Sequence, residues 1–103
     1  MTPYDRVIER LIQLIEQGDV LRQGDERGHV SDATQYQDAR GWITAACNIV
    51  LHIFPDGDSP YAQHLNSAVE NGENCNWEYV AGTVGEIRAV LKNLLTDLEG
   101  GLL

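Results

Sequence analysis

A chain of 103 residues can close one hydrophobic core but not two, so residues 1–103 read as a single domain. Sixteen acidic residues against seven scattered basic ones give a net charge of −9, which leaves no footprint for a phosphate backbone or an anionic membrane. No nucleic acid and no membrane is therefore expected as a partner. The start, Met1 to Arg6, lacks the basic and apolar run of a secretory signal, and a cytoplasmic setting follows as the default.

The first helix is announced by Thr2 as N-cap, Pro3 in the first turn and Asp5 two positions on. Tyr4, Ile8, Leu11 and Ile15 recur at helical spacing, with Val7, Ile12 and Leu14 widening the apolar face. Gly18 weakens the helix, while Val20 and Leu21 extend it, so it is expected from Pro3 to roughly Gln23. From Gln23 to Gln35 the polar run with Gly24, Gly28 and Ser31 reads as a loop. A loop of about a dozen residues is long for a compact helical domain, and such loops are either mobile or functional.

Asp32 as N-cap, with Gln35 three positions later, opens a second helix; a start near Tyr36 is the alternative. Its seam is Trp42, Ala46, Ile49 and Ile53, flanked by Ile43, Ala45, Val50 and Phe54, and Pro55-Asp56-Gly57-Asp58 ends it. The apolar stretch Ile43 to Phe54 is broken by Asn48 and His52 and is too short to span a bilayer.

Ser59-Pro60 repeats the logic of Thr2-Pro3, a capping hydroxyl before a first-turn proline. The third helix then carries Tyr61, Leu65 and Val69 and is expected to stop at Asn71-Gly72. Being short and weakly apolar, it is expected to lie across the others.

The fourth helix holds the clearest pattern in the chain. Trp77, Val80, Val84, Ile87, Leu91, Leu94 and Leu98 alternate spacings of three and four, which places all seven on one stripe from about Asn76 to Glu99. Gly82 and Gly85 lie inside it, each costing roughly 1 kcal/mol of helix propensity relative to alanine. With Ala81 they form a small-residue patch, expected to receive Trp42 or another large side chain of the same subunit rather than a second backbone. Gly100-Gly101 stops the helix. The apolar end Leu102-Leu103 suggests the N-terminal domain of a longer protein, or leucines packed on a partner.

No constellation marks a reaction. Arg22 and His29 fit the spacing of the Arg-x4-6-His pattern of HEPN ribonucleases, but Gly24 and Gly28 between them speak for a loop where that pattern needs a helix. Asp56 and Asp58 would open a calcium loop, yet Pro60, Tyr61 and Ser67 occupy its later ligand and glycine positions. His29, His52, His64, Cys47 and Cys75 share no metal-ligand spacing. Cys47, among apolar residues, reads as a small buried hydrophobe, and both cysteines as reduced thiols. Ser31, Ser59 and Ser67 stand in no nucleophile turn, and no glycine loop cradles a phosphate. Catalytic, cofactor-binding and metal-binding residues are accordingly expected to be none.

Three segments carry a resemblance: Gly41-Trp42-Ile43-Thr44 running to His52-Ile53-Phe54, then Asp58-Ser59-Pro60-Tyr61, and last Glu86-Ile87-Arg88-Ala89-Val90-Leu91-Lys92 leading into Asp97-Leu98-Glu99-Gly100-Gly101-Leu102-Leu103. Over residues 40 to 103 the chain resembles the N-terminal helical region of a loosely defined group of uncharacterised bacterial proteins. That resemblance implies a region preceding a second helical domain, in some cases HEPN-like or linked to defence. It carries no catalytic residue onto this chain.

The fold expected is all-α, a small bundle of three substantial helices and one short one. The function expected is a non-enzymatic accessory domain for self-association, as a possible homodimer, or for binding a protein partner. Trp77, Val80, Ala81, Val84, Gly85, Ile87, Leu91, Leu94 and Leu98 are the expected interface or packing residues, with Trp42, Ile49 and Ile53 facing them. The alternative is a small acidic binding protein, an antitoxin or inhibitor, that engages a basic partner.

Overall fold

A computed structural model describes residues 5–21, 33–73 and 80–101; these are helical apart from short turns, and no strand occurs among them. The helices are α1 (Asp5–Leu21), α2 (Ala33–Ile53), α3 (Pro60–Glu73) and α4 (Val80–Glu99). α4 packs against all three others, most extensively against α1 and α3, while α2 touches α1 and α3 as well. A residue on the inner face of α4 is therefore enclosed by more than one neighbour.

The apolar periodicities are spent on that enclosure. Leu11 and Leu14 of α1, Val50 of α2, and Val84, Ile87, Leu91 and Leu94 of α4 are almost completely buried. Trp42, Ile43 and Ile49 of α2 and Leu65 of α3 complete the large side chains of the core. Among the described residues no polar or charged residue is buried, and the indole N–H of the buried Trp42 is satisfied by the Leu14 carbonyl.

Caps fix where the helices begin and end. Ser59 Oγ accepts a hydrogen bond from the Ala62 N–H at 3.1 Å and caps α3, as the Ser59-Pro60 pair predicts. After α2, the Gly57 N–H donates to the Phe54 carbonyl at 3.0 Å, and Gly57 turns the chain with φ at +70°. α4 closes with Gly100 N–H to Thr96 C=O at 2.9 Å and Gly101 N–H to Leu98 C=O at 3.2 Å, with Gly101 in the left-handed region.

One boundary differs from the sequence expectation, and another decides between the two starts expected for α2. α2 begins at Ala33, so Ala33 to Gln35 are helical rather than loop, in keeping with the earlier of the two starts. α3 runs through Asn71-Gly72 to Glu73. Gly72 is a packing glycine there: a Cβ on it would collide with the Thr83 side chain of α4. At fourteen residues α3 is the shortest helix, yet its contact with α4 is extended. The expected caps Thr2 and Asp32, the start of the fourth helix near Asn76 and the loop residues Gln23 to Asp32 lie outside the described residues.

Candidate functional site

The α4 stripe is core. Val80, Ala81, Val84, Ile87, Leu91 and Leu94 are 7% exposed or less, and Leu98 packs half-buried at the edge of the same cluster. Trp77 lies outside the described residues. Within one subunit, then, the described seam is already covered by the other three helices and offers little apolar surface to a second chain.

The small-residue patch corrects the sequence reading. A Cβ placed on Gly82 or Gly85 meets nothing within 4 Å, so no large side chain among the described residues fills the space above them. Trp42 packs instead on Gly18 of α1, where a Cβ would stand 2.7 Å from its Cζ2. The reason is geometric: the stripe that buries Val84 and Leu91 turns Gly82 outward, whereas Gly18 shares the buried face of Leu11 and Leu14. A glycine that weakens α1 locally is thus what lets α1 and α2 close.

Two side chains then fasten the last turns of α1. Trp42 Nε1 donates to the Leu14 carbonyl at 2.8 Å. From α4, Arg88 Nε donates to the Ile15 carbonyl at 2.8 Å, and its guanidinium lies 3.7 Å from the Asp19 carboxylate. Consecutive carbonyls of one helix are thereby held from α2 and α4. At the other end of the bundle, the Tyr61 hydroxyl donates to Asp97 Oδ2, while the Tyr61 ring stacks on Phe54 with centroids 5.7 Å apart. These contacts fix the positions of the helices relative to one another.

Among the described residues, an open concave surface lies between α1 and α2. A groove of about 570 Å³ runs between Arg10, Leu14, Gln17 and Val20 on one wall and Asp38, Gly41, Trp42 and Ala45 on the other. Toward the start of α1 it continues into a second hollow of about 250 Å³, which shares Arg10 and Ala45 and adds Arg6, Asn48, Ile49 and His52. Leu14, Trp42 and Ile49 are buried beneath it, whereas Val20 is 68% exposed at its rim. On α2 the lining positions Gly41 and Ala45 are small, which keeps that wall low. Neither the groove nor its arginines stood out in the sequence. The signal was present as Arg6 and Arg10 four apart on α1, and Gly41 and Ala45 four apart on α2.

The residues weighed for chemistry do not assemble. Among the described residues, no group of three or more His, Cys, Asp or Glu side chains is placed to hold a metal ion. His52 and His64 are exposed on different helices. Cys47 is half-buried rather than fully buried; burial raises its thiol pKa, with Arg40 acting in the opposite direction, which favours the unreactive thiol over the thiolate. Arg22, His29 and Cys75 lie outside the described residues. No described helix is long and apolar enough to cross a membrane. Comparison with family models, curated proteins and solved structures gives no match for this chain.

Proposed function

We propose that this chain is a non-enzymatic helical module that binds a protein partner through the α1/α2 groove. The observation that carries the reading is the contrast in shape and exposure: the α4 seam is buried inside the subunit, whereas α1 and α2 leave an open concavity between them with Val20 68% exposed at its rim. Exposed apolar surface at a concave site is costly in water and is recovered when a partner covers it. Partner binding is favoured over self-association because the stripe best suited to helix pairing is already occupied. The setting proposed is bacterial and cytoplasmic, on composition and resemblance alone, with the domain acting as an accessory to a longer protein.

A photo-crosslinking residue in place of Gln17, on the groove wall, tests this. It should yield a defined heteromeric adduct in the host cell, and the same residue in place of Asn93, on the exposed face of α4, should not. Equal adducts from both positions, or from neither, would remove the groove from consideration. The rival reading, an acidic binder of a basic partner, draws on the net charge of −9. For that binder, converting exposed acids such as Glu86 to lysine weakens binding and leaves the groove irrelevant.

A further inference from the structure

The partner-binding reading leaves the occupant of the groove unspecified, and the inference below rests on that reading. We propose that the α1/α2 groove receives an amphipathic α-helix from a partner protein, with acidic residues of that helix set against Arg6 and Arg10.

The shape of the groove favours a helix. The lining positions on α1 extend from Arg6 to Leu21, a span of about 22 Å at 1.5 Å per residue, which matches roughly four turns of an incoming helix. Between its walls the small positions Gly41 and Ala45 leave room beside the exposed Val20, a relief that anchors at i, i+3, i+4 and i+7 of a helix can enter. An extended peptide would bring a row of unpaired backbone N–H and C=O groups, and the described residues contain no strand edge to pair them. A helix arrives with those groups already bonded. Gly41 gives it room, since among the described residues a Cβ there meets nothing within 4 Å.

Charge complementarity selects the acidic class. The chain carries only seven basic residues, yet two of them, Arg6 and Arg10, line one end of this groove together with His52 and Asn48. No carboxylate lines that end, and among the described residues neither arginine forms an ion pair. Arg10 donates to the Gln13 side chain at 3.2 Å on the exposed surface. A basic helix would be drawn to the acidic surface at long range but would meet two guanidinium groups at contact. An acidic helix gains charge-assisted hydrogen bonds at the same point. Asp38, at the opposite end, adds direction: it favours a basic or neutral residue there, so the acidic end of the incoming helix lies toward Arg6. A second copy of this chain is disfavoured as occupant by the mutual repulsion of two bodies of net charge −9.

A display library of helical peptides tests this, with leucines fixed at i, i+3 and i+7 and the other positions randomised, selected on the folded chain. The expected outcome is enrichment of peptides with Asp or Glu clustered toward one end. Binding of a synthesised winner should weaken by about tenfold or more in the double variant Arg6→Glu/Arg10→Glu. The variant Arg40→Glu/Lys92→Glu makes the same change in net charge away from the groove and should leave binding within about twofold. Gly41→Trp, whose Cβ meets no described residue within 4 Å and whose indole adds bulk to the α2 wall of the groove, should abolish binding, with circular dichroism confirming that each variant folds. Winners blocked by Gly41→Trp but neutral or basic, and indifferent to the arginine changes, would overturn the acidic class while leaving the groove as a binding site. Winners indifferent to Gly41→Trp would overturn both. Failure to enrich any peptide, or wild-type self-association abolished by Gly41→Trp, would overturn the proposed occupant.

Discussion

The inner face of α4 and the groove between α1 and α2 both run along packed helices, but only the groove leaves a concavity open to solvent. Along α4, leucine, isoleucine and valine recur every three or four residues, and α1, α2 and α3 close over them until Val84, Ile87, Leu91 and Leu94 have no exposed surface. Along the groove, the α2 wall is Gly41 and Ala45 where a core would place larger side chains, and the α1 wall is Arg6, Arg10 and Gln17. Large side chains in register make an interior; small ones facing long polar ones leave an open channel. The difference assigns stability to the first strip and makes the second the surface proposed for recognition.

Substitutions can break or sharpen that division. The largest effect is expected at Leu91, which is fully buried at the centre of α4. Leu91→Ala should cost about 2–5 kcal/mol in urea unfolding, through lost burial and the cavity left behind. Gly18→Ala comes next. Its new methyl would press on the Trp42 ring, itself held by the bond to the Leu14 carbonyl, so a loss of about 1–3 kcal/mol from overpacking outweighs the gain in helix propensity. Gly85→Ala reverses the sign. With nothing within 4 Å of the added Cβ, it should stabilise the chain by up to about 1 kcal/mol, seen as a raised Tm. Val20→Ser, at the groove rim, should change stability by no more than about 0.5 kcal/mol while weakening partner binding. A large stability loss at Val20, or none at Leu91, would invert the division.

Parts of this arrangement are written in the sequence and parts are not. The heptad-like run from Val80 to Leu98 and the Ser59-Pro60 start of α3 are local signals, and local signals of this strength survive into the fold. The partner of Trp42 was not legible. Propensity ranks Gly18, Gly82 and Gly85 alike, and only packing decides that Gly18 faces inward while Gly82 and Gly85 are open. Likewise Asn71-Gly72 carries a stop signal on propensity, but the close approach of Thr83 from α4 uses the missing side chain and α3 continues. The groove was illegible for a related reason. It is defined by what α1 and α2 fail to fill between them, and neither helix shows that alone. Arg88 was similarly silent, since its bond to the Ile15 carbonyl joins residues 73 positions apart.

The most direct test joins light scattering over a dilution series to urea unfolding, for the wild-type chain and for Leu91→Asn. If the α4 seam is interior, the wild type keeps the mass of one subunit throughout, and Leu91→Asn loses its cooperative unfolding transition along with its helical signal. A wild-type dimer that Leu91→Asn separates into folded monomers would make the seam an interface between subunits and contradict the assignment.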